Sequence, residues 1–139
     1  MKQLLFIWLI YNGLTYLNAD PLVIASGENF GVNTINVDEI RGIYTGKQFR
    51  LNNKKIIPLN LGIDNPLRSK FEQNILGENK DTLAQYWLQA HYLGHRTPKV
   101  FKSQESVAEF LSKVDNSIGY VDEEIAQKYH LKILFRAKE

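Results

Sequence analysis

Apolar and polar positions along the chain fall into short runs of two periods. Ile57, Leu59 and Leu61 alternate with Pro58 and Asn60, the two-residue period of a half-buried strand. Gly62, Ile63 and Asp64 then read as a turn, Asn65 as a helix cap, and Pro66 as the first helical residue, where a missing N–H costs least. Leu67, Phe71 and Ile75 recur every four residues, so they stack on one helix face, and Gly77 is placed to end that helix in the left-handed conformation. A helix that starts just after a strand turns unpaired N–H groups and a partial positive charge outward, which suits an anion.

The rest of the chain repeats the alternation. Pro21–Ala25 is a short apolar run that predicts a first strand, followed by a polar loop from Ser26 to Gly31. Asn36 and Glu39 stand three apart as a capping box, with Ile35 and Ile40 as its hydrophobic staple; Ile40, Ile43 and Tyr44 share a face, and Gly46 closes the helix. Residues 47–55 are polar and basic with Asn52–Asn53 at the tip of a hairpin or loop; the stretch is a solvated loop or a lure for an acidic partner. Asp81 is the expected cap of a helix carrying Leu83, Tyr86, Trp87, Ala90 and Leu93, stopped by Gly94 with Pro98 just beyond. A brief strand follows at Lys99–Lys102. Ser103 caps a helix striped by Val107, Phe110, Leu111 and Val114. Ser117–Val121 reads as a strand, Asp122–Tyr129 as a short helix and Leu131–Phe135 as the last strand. Strands alternating with helices predict an α/β domain with mixed or mainly parallel pairing, its sheet flanked by helices.

Composition narrows the classes. At 139 residues the chain fits one domain, and 44% apolar with 23% charged residues is ordinary for a folded protein. A net charge of +2 is too small to argue for nucleic acid. Without cysteine there is no disulfide, thiol nucleophile, thiolate metal site or lipid-modified cysteine. The N-terminus adds an address. Met1–Gln3 gives a short positive start, Leu4–Leu17 is almost wholly apolar, and Leu17–Ala19 offers a cleavage site before Asp20. We therefore expect a signal peptide over residues 1–19, with an uncleaved anchor as its alternative, a single domain over 20–139, export to the periplasm, and no membrane span after cleavage.

Candidate chemistry is sparse. His91 and His95 have the spacing of two metal ligands on one helix turn, but Gly94 breaks the helix between them, so no metal is expected. Asp38–Glu39 and Asp122–Glu124 fall in predicted first turns, where carboxylates offset the helix dipole. Ser26–Gly27 lacks the flanks of a nucleophile elbow, and glycine-rich phosphate loops are absent. Tyr86, Trp87 and Tyr92 form either core or a stacking surface. No catalytic group or cofactor is expected. Ser26, Asn29, Asn65, Arg68 and Ser69 are the polar residues expected to meet at strand ends, where α/β sheets bind ligands, with caps and turns as the alternative role for Ser26 and Asn65.

Through four stretches in order, VDEIRGIYTG at Val37–Gly46, the strand–turn–helix of Pro58–Leu76, WLQAHYLGHRTP at Trp87–Pro98 and NSIGYV at Asn116–Val121, the sequence resembles the phosphate-type periplasmic substrate-binding proteins of ABC transporters. Val37–Gly46 (VDEIRGIYTG) is similar to their "EL..IF.G" helix, and Pro58–Leu76 to their strand–turn–helix with its phenylalanine, here Phe71. Trp87–Pro98 is similar to a tryptophan, aromatic, glycine, proline series of short members, and Asn116–Val121 (NSIGYV) to their "GAIGYV" phrase. The resemblance implies a lobe of a phosphate-binding protein without enzymatic activity, with phosphate or a similar oxyanion as ligand and a periplasmic or membrane protein as possible partner. Two departures bear on that. Members have two lobes with ligand between them, whereas 120 residues suit about one. Where members carry an arginine and a serine-glycine-threonine phrase, this chain has Asp64–Leu67 and no arginine in 60–63, leaving Arg68 and Ser69 as nearby substitutes. The resemblance thus implies weak oxyanion binding, or a periplasmic interaction module that has lost the small-ligand site.

Overall fold

The computed structural model describes residues 21–138, and the expected leader at 1–19 lies outside them. In chain order the elements are β1 (Leu22–Ser26), α1 (Val37–Tyr44), β2 (Arg50–Leu51), β3 (Lys54–Lys55), β4 (Ile57–Leu61), α2 (Pro66–Phe71) running into a π-helical turn (Glu72–Leu76), α3 (Lys80–Tyr92), β5 (Lys99–Phe101), α4 (Gln104–Lys113), β6 (Ser117–Asp122), α5 (Glu123–Lys128) and β7 (Lys132–Arg136). The main sheet has the order β5-β4-β6-β1-β7. β4 runs parallel to β5 and β6, while β1 runs antiparallel to β6 and β7, so the expected α/β class is met by a mixed sheet. β2 and β3 form the hairpin expected at Asn52–Asn53, and both asparagines adopt positive φ, 49° and 65°, as a tight two-residue turn requires.

Local chemistry accounts for most element ends. Asn36 and Glu39 form the capping box, the Glu39 N–H donating to Asn36 Oδ1 at 2.8 Å and the Asn36 N–H to Glu39 Oε1 at 3.1 Å. The last turn of the central helix widens to i→i+5 bonding before Gly77 closes it at φ 72°. The Arg41 guanidinium donates to the Ile75 carbonyl there at 2.9 Å, tying α1 to that turn. Gly119, at the middle of the sheet, faces α4 so closely that a Cβ would stand 2.8 Å from Val107 Cγ1, so the helix can approach only because the side chain is absent.

The core lies between β1, β4, β6 and the helices. All five residues of β1 are buried, and Ile40, Ile43, Leu59, Leu61, Val107 and Leu111 pack with them. Below α2, Phe71 stacks on Tyr120 (centroids 4.1 Å apart, planes 7° apart) and meets the edge of Tyr44 at 4.7 Å. Both buried phenols have partners: Tyr44 donates to the Leu59 carbonyl at 2.7 Å, and Tyr120 donates to Asn60 Oδ1.

Three sequence expectations need correction. α3 is capped by Asn79, whose side chain accepts the Thr82 N–H at 2.8 Å, and Asp81 is a first-turn residue; the helix begins two residues early because asparagine at 79 reaches the third N–H equally well. Leu93 is 76% and Tyr92 85% exposed, since α3 packs at the sheet edge through only part of its surface. The short helix expected over Asp122–Tyr129 spans Glu123–Lys128, because Asp122 ends β6 and stands at the cap position with its side chain turned to Gln104, whose amide donates to the carboxylate at 3.0 Å and accepts the Asp122 N–H at 2.8 Å.

Candidate functional site

Strand direction decides which predicted site residues can meet. β1 lies against β6 with Leu22 opposite Asp122 and Ala25 opposite Gly119, while β4 lies against β6 with Ile57 beside Ser117. β1 therefore ends where β4 begins. Ser26 and Asn29 emerge at one end of the sheet, and Asn65, Arg68 and Ser69 follow β4 at the other. The five residues expected at one set of strand ends form two separate groups, because the first strand runs antiparallel, which alternating apolar runs do not reveal.

At the β1 end, Ser26 is fully buried and its hydroxyl donates to the Gly27 carbonyl at 3.1 Å. Asn29 is exposed and lines a cavity of about 280 Å³ with Glu28, Asp115 and His130. Two carboxylates on that wall disfavour an anion.

At the β4 end, the α2 start satisfies itself. Pro66 has no N–H, Asn65 Oδ1 accepts the Leu67 N–H at 2.9 Å, and the Asn65 carbonyl accepts the Arg68 and Ser69 N–H groups at 3.0 and 3.3 Å. The expectation of unpaired amides facing outward is thus corrected: the cap and proline that make the helix start legible also use its donors.

What remains for a ligand lies beside that start. A cavity of about 300 Å³ opens between α2 and α3 at the C-terminal end of β4. Lys80, Leu83, Ala84 and Trp87 line it from α3 at the i, i+3, i+4, i+7 spacing of one face, Arg68 and Glu72 line it from α2 and the π-helical turn, and Asn60 from β4. Arg68 donates from Nε to Glu72 Oε2 at 3.1 Å and from Nη1 to the Leu61 carbonyl at 2.9 Å, so much of its fork is committed. Asn60 accepts at Oδ1 from Tyr120 and, at 2.9 Å, from the Leu61 N–H, which leaves its NH₂ to offer. Lys80 is exposed, and among the described residues it has no hydrogen bond or ion pair. A lysine at the first helical position opposes the helix dipole, an arrangement that favours neither folding nor capping. Sequence reasoning missed Lys80 and Glu72, although the i+4 step from Arg68 to Glu72 on the predicted helix was a signal for the second.

Among the described residues no group of three or more histidine, aspartate or glutamate side chains gathers to hold a metal. His91 is exposed and His95 half-buried. Trp87 packs edge-on to Tyr86 at 5.3 Å, and Tyr86 donates to the Thr45 carbonyl, so the expected aromatic cluster is split between packing and the cavity wall. Burial pushes the phenols of Tyr44 and Tyr120 well above the usual tyrosine range. No helix among the described residues is long and apolar enough to cross a membrane.

No model of a known protein family matches the chain, and no curated protein matches it. Solved structures do. An ABC-type phosphate transport receptor from Vibrio cholerae is 17% identical with a TM-score of 0.65, over 83% of this chain and 45% of that one. A putative phosphate ABC transporter substrate-binding protein with bound phosphate from Clostridium perfringens is 16% identical with a TM-score of 0.67, over 83% and 44%. PstS from Borrelia burgdorferi is 18% identical with a TM-score of 0.64, over 83% and 46%. At such identities the likeness shows the fold, which is the one that the sequence resemblance implied. The chain spans less than half the length of these structures.

Proposed function

We propose that the chain is an exported, periplasmic solute-binding domain of the phosphate-transport type that takes a small oxyanion, phosphate in the first place, in the cavity between α2 and α3. The observation that carries this reading is the convergence of Arg68, Lys80 and the free NH₂ of Asn60 on one cavity at the C-terminal end of β4. Open α/β sheets bind ligands at such strand ends. The fold likeness to a substrate-binding protein with bound phosphate supports the same choice of ligand. Asn65 and Ser69 shape the start of α2 beside the cavity, whereas Ser26 and Asn29 lie too far away to contribute. The binding is weak: the α2 amides are used internally, Arg68 is half-committed, and Lys80 is the main uncommitted charge. The proposal includes no catalytic step. Calorimetry with phosphate tests it. A Kd on the order of 1 mM is expected, weakened about tenfold or more in Lys80→Ala. Absence of heat at tens of millimolar phosphate contradicts the proposal.

A second reading, a partner-binding module on the same scaffold, is favoured by one observation. Leu88, Tyr92 and Leu93 stand 67–85% exposed on and just after α3. A photo-crosslinker at position 92 that captures a single periplasmic or membrane protein, together with silent calorimetry, would favour it.

A further inference from the structure

The cavity wall holds a group that phosphate alone does not satisfy. Glu72 is 4% exposed, and its Oε1 has no hydrogen-bond partner, while Oε2 is held by Arg68. A buried carboxylate oxygen without a donor is costly, and such groups in a folded protein call for an explanation. The terminal torsion of a glutamate is broad and two-fold, so presenting an oxygen to the cavity it lines takes little rearrangement.

The charges along the wall set the kind of ligand. Arg68 pairs with Glu72 through Oε2 at 3.1 Å, which leaves the unpartnered Oε1 edge as the negative part of the wall, and Lys80 stands across the cavity on α3. A bare dianion would meet Lys80 favourably but would also face Glu72. A molecule with an oxyanion at one end and an ammonium at the other would meet opposite charge at both. Trp87 lines the wall next to these groups, and an indole face is the best aromatic partner for an ammonium. Ile63, Leu83, Ala84 and Val100 supply an apolar lining that suits a short carbon linker better than water.

We propose that the preferred ligand of this cavity is a small zwitterion, an oxyanion joined by a short carbon chain to a primary ammonium, with the oxyanion at Lys80 and the Asn60 NH₂ and the ammonium donating to Glu72. This rests on the oxyanion reading above and narrows it from phosphate to an amine-bearing phosphonate or phosphate ester. Calorimetry of the unaltered protein with phosphate, ethylphosphonate and 2-aminoethylphosphonate separates the two claims. The amine-bearing ligand should bind about tenfold or more tightly than its ethyl counterpart, the effect of one hydrogen bond to a charged group. That preference should fall to about threefold or less in Glu72→Gln, and the comparison on unaltered protein stands whether or not the variant folds. Phosphate and ethylphosphonate binding with no gain from the amine overturns this inference and leaves the oxyanion reading intact. Silence from all three ligands overturns both.

Discussion

Helix α1 meets the π-helical turn that ends α2, whereas α3 faces α2 across the cavity, and the two differ in how completely they are packed. α1 has eight residues, a capping box at its start, and buries Ile40, Ile43 and Tyr44; α3 has thirteen and buries only Leu83 and Ala90. The sheet repeats the contrast, with β1 buried throughout and β5, the edge strand, leaving Val100 59% exposed. The half built on β1 and α1 buries its apolar side chains against the core. The other keeps an open cavity, an uncommitted lysine and apolar surface. Low local packing is where binding surfaces are drawn from, because a side chain satisfied by its own fold has nothing left for a ligand.

That contrast can be broken most forcefully at the aromatic stack. Phe71→Ala removes the ring between Tyr44 and Tyr120 and should destabilise the fold by about 3–5 kcal/mol in urea denaturation. Gly119→Ala, which drives a methyl into Val107, should cost about 1–3 kcal/mol in the same assay.

Alkaline pH reaches the same core by another route. Folded Tyr44 and Tyr120 hold their protons above pH 10, where the unfolded chain gives its up, so unfolding releases protons. Stability should therefore be level below about pH 10 and fall above it, by about 1.4 kcal/mol per pH unit for each tyrosine. Tyr44→Phe should flatten the slope. At the open half the effects shrink. Asn79→Ala should cost about 1 kcal/mol, more than Asp81→Ala, and Leu88→Ser or Tyr92→Ser should stay within about 0.5 kcal/mol. A large loss at Leu88 would mean that this face is packed after all.

The sequence made the closed half legible and much of the open half not. Strict alternation at Ile57–Leu61, the Asn65–Pro66 start, the Asn36–Glu39 box and the Gly77 stop are local rules that the surroundings reinforce, and each holds in the structure. Long-range facts were hidden. The antiparallel course of β1 depends on its partners β6 and β7, and it moved Ser26 and Asn29 to the far end of the sheet. Arg68 was visible as a charged residue in a first turn, but its commitment to Leu61 and Glu72 was not. Lys80 could be recognised only once α3 lay across from α2. The aromatic stripe of α3 suggested core at Tyr92 and Leu93, yet an edge helix leaves part of any such stripe in solvent.

The central claim is that the oxyanion site lies at the β4 end of the sheet, between α2 and α3. Titrating isotope-labelled protein with phosphate and following its amide and side-chain resonances tests this directly. Saturable shifts should gather at Asn60 (side-chain NH₂ included), Arg68, Lys80 and Thr97, which also lines the cavity. Shifts confined to Gly27–Asn29 and His130, or no saturable shifts at all, would contradict it.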